Sequence, residues 1–174
     1  AKINDHVVHK LIKIAEEKLG PPPCSYCWIT LGSEGRREQT FKTDQDNGLI
    51  YADLPDDQQP AAYEYFRTLA QTASESMARC GYPPCHGGYT AANARWRQPV
   101  DVWRSYFSEW ITDPEQHTAL HGLIFFDMRP VYGDFQLFEQ VHAYVNTMLK
   151  RAGFFKSILA YVSILQKPPL TLFR

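Results

Sequence analysis

The chain lacks several features that would define its surroundings or its partners. Lysine and arginine total 18 and aspartate and glutamate 19, so the net charge of -1 gives no reason to expect a nucleic-acid-binding surface. No signal peptide and no run of about 18 apolar residues is present. We therefore expect a soluble, cytoplasmic protein with no membrane partner. Internal repeats and low-complexity segments are also absent.

Cysteine is scarce and loosely spaced. The 174 residues contain four cysteines in the patterns C-x2-C and C-x4-C, namely Cys24, Cys27, Cys80 and Cys85. The second pair is wider than the tight pairs of structural zinc knuckles. A zinc site is conceivable, but the spacing favours free thiols in a reducing compartment.

The hydrophobic pattern divides the chain into three parts. Residues 1–23 have the apolar spacing of one amphipathic helix, capped by Asn4 or Asp5 and ended by Gly20 and three prolines. Residues 24–98 alternate short apolar runs with one long helical stripe, which is typical of an α/β core. From Pro99 to residue 174 the pattern predicts helices only, so we expect a helical half that walls a cleft against the core.

Residues 32–51 contain the most informative motif. They join two short apolar runs, 28–31 and 49–51, so the pattern predicts strand, turn, polar segment and strand. Gly32 and Ser33 stand at the turn, where free backbone N–H groups at a helix start can hold phosphate. Asp44 and Asp46 are two residues apart, so on a strand both carboxylates reach one face. Such a pair suits Mg²⁺ or Mn²⁺.

The second strand leads into a crossover. A helix beginning near Pro60 and ending at Gly81 has a continuous apolar stripe, so it returns the chain for a third strand. Residues 84–90 are our candidate for that strand. Pro84 and two neighbouring glycines indicate that it is an edge strand or an irregular loop.

The segment GSEGRREQTFKTDQD resembles the signature of the nucleotidyltransferase superfamily with the polymerase-β-type fold. It is similar to the PII-protein uridylyltransferases, whose stretch reads G-G-x-G-R-x-E, five residues, then D-x-D. The matching positions are Gly32, Gly35, Arg36, Glu38, Asp44 and Asp46, with Ser33 in place of the second glycine. The resemblance implies an α/β (α+β) fold with a small polymerase-β-like sheet flanked by helices and a C-terminal helical half.

Residues 24–150 also resemble the nucleotidyltransferase domain that bacteria place downstream of CBS or cyclic-nucleotide-binding domains. The similarity includes GRREQ, TDQDNGLIY, the segment 81–97 and the later FFDMR. It implies that such sensor domains lie upstream and that a further helical domain follows. The closing KPPLTLFR looks like the entry to that domain, so we expect the chain to be a fragment.

The resemblance implies transfer of a nucleoside monophosphate from a nucleoside triphosphate to a hydroxyl group of a protein or small molecule, in bacterial signalling. Asp44 and Asp46 would hold Mg²⁺, and Gly32 with Ser33 would cradle the β- and γ-phosphates. Arg36 or Lys42 would add charge-assisted contacts. Arg36 and Glu38 could equally form a structural ion pair.

A third carboxylate is usual in this superfamily, and the candidate third strand has none. Asp101 and Asp127 are the remaining candidates. Asp127 lies on the apolar stripe of a predicted helix, which favours a buried ion pair with Arg129 instead. The missing acid keeps a second hypothesis open, a nucleotide-sensing module that retains the metal and phosphate pocket without turnover.

Two other features are open to more than one interpretation. His117 and His121 have the i, i+4 spacing of metal ligands, but a solvated helix face explains them better. Trp96 lies between Arg95 and Arg97, where it could stack on a base or anchor the two halves of the chain.

Overall fold

A computed structural model describes residues 2–38, 44–113, 124–153, 155, 157 and 160. Four strands, β1 (Tyr26–Thr30), β2 (Asn47–Tyr51), β3 (Arg97–Pro99) and β4 (Arg129–Gly133), form one sheet in the order β3-β2-β1-β4. β1 pairs antiparallel with both β2 and β4, whereas β2 pairs parallel with β3. This open mixed sheet with flanking helices confirms the predicted α+β class.

The described helices account for most of the remaining chain. They are α1 (Lys2–Leu19), the single turn α2 (Gly32–Gly35), α3 (Gln59–Arg79), α4 (Val100–Thr112) and α5 (Phe135–Arg151), with a 3₁₀ turn at Ala94–Trp96. α1 ends where predicted, at Gly20 with φ +85°. It begins earlier than predicted, so Asn4 and Asp5 lie inside the helix.

Both faces of the sheet are buried. Alternate residues of β1 point to opposite sides: Cys27 and Ile29 join the core formed with α4 and α5, whereas Tyr26 and Trp28 join the core formed with α1 and α3. All five residues of β1 are therefore buried, and so are those of β2. The sheet gives the loops at its ends a rigid support.

The structure decides between the two interpretations of residues 84–90 and contradicts one prediction about strands. The strand that follows the α3 crossover is residues 97–99, and residues 84–90 form a loop with one isolated bridge from Pro84 to Gln45. Arg97 can lie in a buried strand because its guanidinium donates to the carbonyls of Ala91 and Ala92 at 2.7 and 3.1 Å. The expectation of helices only after Pro99 fails because β4 joins the sheet beside β1. The domain limits at residues 23 and 98 stay predictions.

Among the described helices, none is long and apolar enough to span a lipid bilayer. The apolar stripes of α3 and α4 are instead the surfaces that bury Phe66, Leu69, Trp103 and Phe107 against the sheet. The apolar stripe predicted for the helix between Pro60 and Gly81 is thereby confirmed.

Candidate functional site

Three strand ends meet at one edge of the sheet. Thr30, the last residue of β1, pairs with Asn47 at the start of β2 and with Arg129 at the start of β4. The main-chain carbonyl of Asp46 accepts a 2.9 Å hydrogen bond from the Leu31 N–H and a 3.2 Å hydrogen bond from the Thr30 hydroxyl. The segment that carries the acids is therefore fixed to the turn that follows β1.

Gly32 brings that turn close to Asp46. Gly32 has φ +52°, in the left-handed region that favours glycine. A Cβ atom built on it would lie 4.0 Å from Oδ2 of Asp46 and 3.9 Å from Cγ2 of Ile124. The predicted phosphate turn and the predicted metal ligand thus lie side by side, and Gly32 and Ser33 are the first two residues of the single helical turn α2.

Asp44 and Asp46 form a compact group with Cys85. One ligand atom from each residue, two carboxylate oxygens and the thiol sulfur, lies within 4.8 Å of the others, and no other such group occurs among residues the structure describes. The Cys85 thiol donates a hydrogen bond to the Asp46 carboxylate. The other oxygen of Asp46, Oδ1, is buried and has no hydrogen-bond partner within the described part of the chain.

Burial is the main influence on the charge of Asp46. It raises the pKa of the carboxyl group, the hydrogen bond from Cys85 opposes the rise, and the neighbouring Asp44 adds to it. A divalent cation would relieve the cost of holding these acids together, because it would supply the positive charge and the partner that Oδ1 lacks. The donor set therefore fits a metal ion.

Gln45, which lies between the two acids, anchors the segment from the opposite side. Its amide nitrogen donates to the carbonyls of Ser74 at 3.0 Å and Tyr82 at 2.7 Å, and its amide oxygen accepts from the Ser74 hydroxyl at 2.8 Å. Its N–H donates to the Pro83 carbonyl at 2.9 Å. Side chains along an extended segment point alternately to opposite sides. Gln45 therefore faces α3, and Asp44 and Asp46 face the candidate site.

We expect Gln45→Ala to lower the free energy of unfolding by about 1–3 kcal/mol, because it leaves buried carbonyl and hydroxyl groups unpaired. Gln59→Ala is a matched control, since Gln59 is exposed and its amide also makes two hydrogen bonds. Urea denaturation of both variants measures the difference. Equal midpoints for the two variants would show that Gln45 does not anchor the segment.

Arg36 forms the ion pair with Glu38 that was one of its two predicted roles, at 2.8 Å, and a second pair with Asp127 at 2.5 Å. Asp127 lies in a turn with its side chain 36% exposed, so the expectation that it is buried is wrong. The predicted pair between Asp127 and Arg129 is also wrong. Arg129 binds Asp5 in α1 with both terminal nitrogens and reaches the Glu34 carbonyl at 3.3 Å.

The structure separates the two candidates for a third acid. Asp101 lies beyond the carboxyl end of β3, where its N–H donates to Asp53 at 3.0 Å, so it is at the opposite end of the sheet from Asp46. Asp127 precedes β4 and lies at the same edge as Asp46, although it does not join the group with Cys85. Asp127 is therefore the better-placed candidate.

Some predicted residues fall elsewhere or are not described. Lys42 and the histidine pair, His117 and His121, lie outside the described residues. Trp96 is 2% exposed and packs in the core with Trp103 and Phe125, so its ring is not available to stack on a base. The anchoring interpretation of Trp96 accounts for this position.

Cys85 was not among the residues predicted for the site. All four cysteines are free, as the preferred interpretation predicted, and spacing alone pairs Cys85 with Cys80. The usable signal was its position in a glycine-containing loop that follows the crossover helix, because such a loop returns the chain to the edge where Asp46 lies.

No curated protein matches this chain at a significant level. A family model described as "Putative nucleotidyltransferase DUF294" matches residues 1–117. The matched part contains the turn at Gly32, both acids and Cys85, and it is more than half of the chain. The chain therefore belongs to this family of nucleotidyltransferase-like proteins.

Proposed function

We propose that this domain binds a nucleoside triphosphate with Mg²⁺ or Mn²⁺ and transfers the nucleoside monophosphate to a hydroxyl group of a protein or small molecule. The observation that carries the proposal is the buried, unpartnered Oδ1 of Asp46. It belongs to a carboxylate that lies beside Asp44 and next to the turn at Gly32. Family membership supports the reaction class.

The acids and the glycine turn of the site would have different roles in this reaction. Asp44 and Asp46 would hold the cation, which when bound neutralises charge on the phosphates and favours ionisation of the attacking hydroxyl. The first N–H groups of α2, at Gly32 and Ser33, lack acceptors within the helix and are suited to phosphate oxygens. Without a side chain at Gly32, a phosphate can approach the backbone closely.

Arg36 and Asp127 lie at the Gly35 end of the turn. The side chain of Arg36 is 41% exposed, so its guanidinium can exchange a carboxylate for a phosphate oxygen without leaving the site. Asp127 is our candidate for the carboxylate that accepts the proton of the attacking hydroxyl, because it lies at the same sheet edge. Lys42 stays a candidate for a further phosphate contact.

A nucleotide-sensing module without turnover is a second candidate function. One observation favours it: within the described residues, the strand beside β2 carries Arg97, Gln98 and Pro99, and no third carboxylate joins Asp44 and Asp46. Either function would suit a bacterial signalling role and a cytoplasmic location. Either would also suit upstream CBS or cyclic-nucleotide-binding domains and a C-terminal helical domain. These remain proposals from the resemblance.

Calorimetric titration tests the proposal. Each of the four ribonucleoside triphosphates is titrated in the presence of Mg²⁺, of Mn²⁺ or of a chelator. We expect metal-dependent binding of at least one nucleotide, and pyrophosphate release when a hydroxyl acceptor is supplied. Binding without pyrophosphate release, in the full-length protein with its partners, would favour the sensing module. Absence of metal-dependent binding to every nucleotide would refute both functions.

A further inference from the structure

The thiol of Cys85 is held in the metal group by the backbone on both sides of it. The N–H of Gln45 binds the carbonyl of Pro83, and the N–H of Asn47 binds the carbonyl of Tyr89, each at 2.9 Å. Cys85 lies between these two attachments, so its loop is fastened to the same segment that carries Asp44 and Asp46. These main-chain hydrogen bonds therefore keep the sulfur of Cys85 close to the two carboxylates.

Backbone N–H groups also face the sulfur. The N–H of Gly87 donates to Sγ of Cys85 at 3.3 Å, and the backbone of Tyr89 donates to the same sulfur. Hydrogen bonds of this kind favour negative charge on sulfur, and outer donors of this type orient and tune metal ligands. Burial and the hydrogen bond to Asp46 act in the opposite direction and raise the pKa of the thiol in the metal-free protein.

Sulfur changes which cation the group prefers. Mg²⁺ takes oxygen ligands almost exclusively, whereas thiolate is a preferred ligand of Zn²⁺ and of the softer Cd²⁺. Three protein ligands with open positions are typical of zinc sites that also bind a substrate. Within the described residues, the unpartnered Oδ1 of Asp46 leaves that carboxylate an oxygen to offer such an ion.

We propose that Cys85 is a third metal ligand, which makes the site select thiophilic divalent cations such as Zn²⁺ over Mg²⁺. This inference rests on the proposed metal site at Asp44 and Asp46. Mg²⁺ would use the two carboxylates and leave Cys85 as a hydrogen-bond donor to Asp46. Zn²⁺ would take both carboxylates and the sulfur, so Zn²⁺ would displace Mg²⁺ from the protein.

Titration of the metal-free protein with Cd²⁺ tests the inference without any activity assay. A cadmium–thiolate bond gives an ultraviolet charge-transfer band, which we expect in the wild-type protein and in Cys80→Ser. Cys80 is the matched control because it is an exposed thiol at the end of α3. We expect Cys85→Ser to lose the band and to bind Cd²⁺ and Zn²⁺ at least about tenfold more weakly. Cys85→Ala, checked for folding by circular dichroism, should also lose the band.

Three results would overturn the inference: no band in the wild-type protein, a band of equal strength in Cys85→Ser, or loss of the band in Cys80→Ser. Asp46→Asn distinguishes these failures from failure of the proposed function. If Asp46→Asn abolishes Mg²⁺–nucleotide binding while Cys85→Ser leaves Cd²⁺ binding intact, the metal site stands and only the role of the thiol is refuted. If Asp46→Asn leaves nucleotide binding unchanged, the proposed function fails.

Discussion

Replacement of Asp44 and Asp46 by asparagine is expected to weaken binding of Mg²⁺–nucleotide by at least about 100-fold, because neutral amides replace both charged ligands. Asparagine nearly preserves the shape of aspartate, so the hydrogen bonds of Gln45 and of the Asp46 main chain should persist. Asp101→Asn is the matched control, since Asp101 is exposed and lies at the opposite end of the sheet. Calorimetric titration of the three proteins measures the effect. Unchanged affinity in the double variant would remove the metal site from the proposed function.

Asp46→Asn alone is expected to raise the stability of the metal-free protein. A stable variant that no longer binds Mg²⁺–nucleotide has lost binding without misfolding. Burial raises the pKa of the Asp46 carboxyl group in the folded state, so the fold favours the protonated form. The metal-free wild-type protein therefore loses stability as the pH rises through the unfolded-state pKa of aspartate, about 3.9, toward the higher folded-state value. The asparagine side chain of the variant cannot ionise, so the variant should be more stable at neutral pH, and the difference should vanish in acid. Denaturation at both pH values measures it.

Gly35→Ala is expected to destabilise the fold at or above the upper end of the roughly 1–3 kcal/mol that over-packing costs. A Cβ at Gly35 would lie 1.6 Å from the carbonyl oxygen of Asp127 and 2.8 Å from its carbonyl carbon. These are main-chain atoms, so no side-chain rotation can relieve the clash. Gly153→Ala is the matched control, because nothing lies within 4 Å of a Cβ there. Chemical denaturation should show a large loss in the first variant only.

The same variant tests the arrangement around the turn. Relief of the clash requires the Gly32–Gly35 helix and the segment at Asp127 to move apart, which would lengthen the ion pair between Arg36 and Asp127. If Gly35→Ala and Gly153→Ala unfold at the same denaturant concentration, α2 does not pack against Asp127 as described.

Helices with an apolar stripe that repeats over several turns could be predicted from the sequence. The predicted stripe in α3 matches its buried residues, because a helix that covers one side of a sheet needs a repeating apolar face. The motif at Gly32, Asp44 and Asp46 was recognisable because its residues are close in the chain. Local patterns therefore predicted these helices and pointed to two of the three residues in the candidate metal group.

The sequence did not predict β4, β3 or the role of Cys85, for physical reasons that differ. β4 contains Pro130 and Gly133, and its residues are only partly buried, so its pattern lacks the apolar alternation typical of a strand. β3 begins with Arg97, which can be buried because its guanidinium donates hydrogen bonds to the main-chain carbonyls of Ala91 and Ala92. Cys85 reaches the acids through main-chain hydrogen bonds of its loop, which side-chain spacing does not reveal.

The position of Cys85 has a thermodynamic consequence. The whole of β2 and α3 lies between Asp46 and Cys85 in the chain, so one cation bound to both residues would act as a reversible cross-link around that segment. Like a disulfide, such a link would make opening of the closed loop costly, but its strength would follow the free-metal concentration. Resistance of the β2–α3 unit to unfolding would then report how much thiophilic metal the surroundings contain.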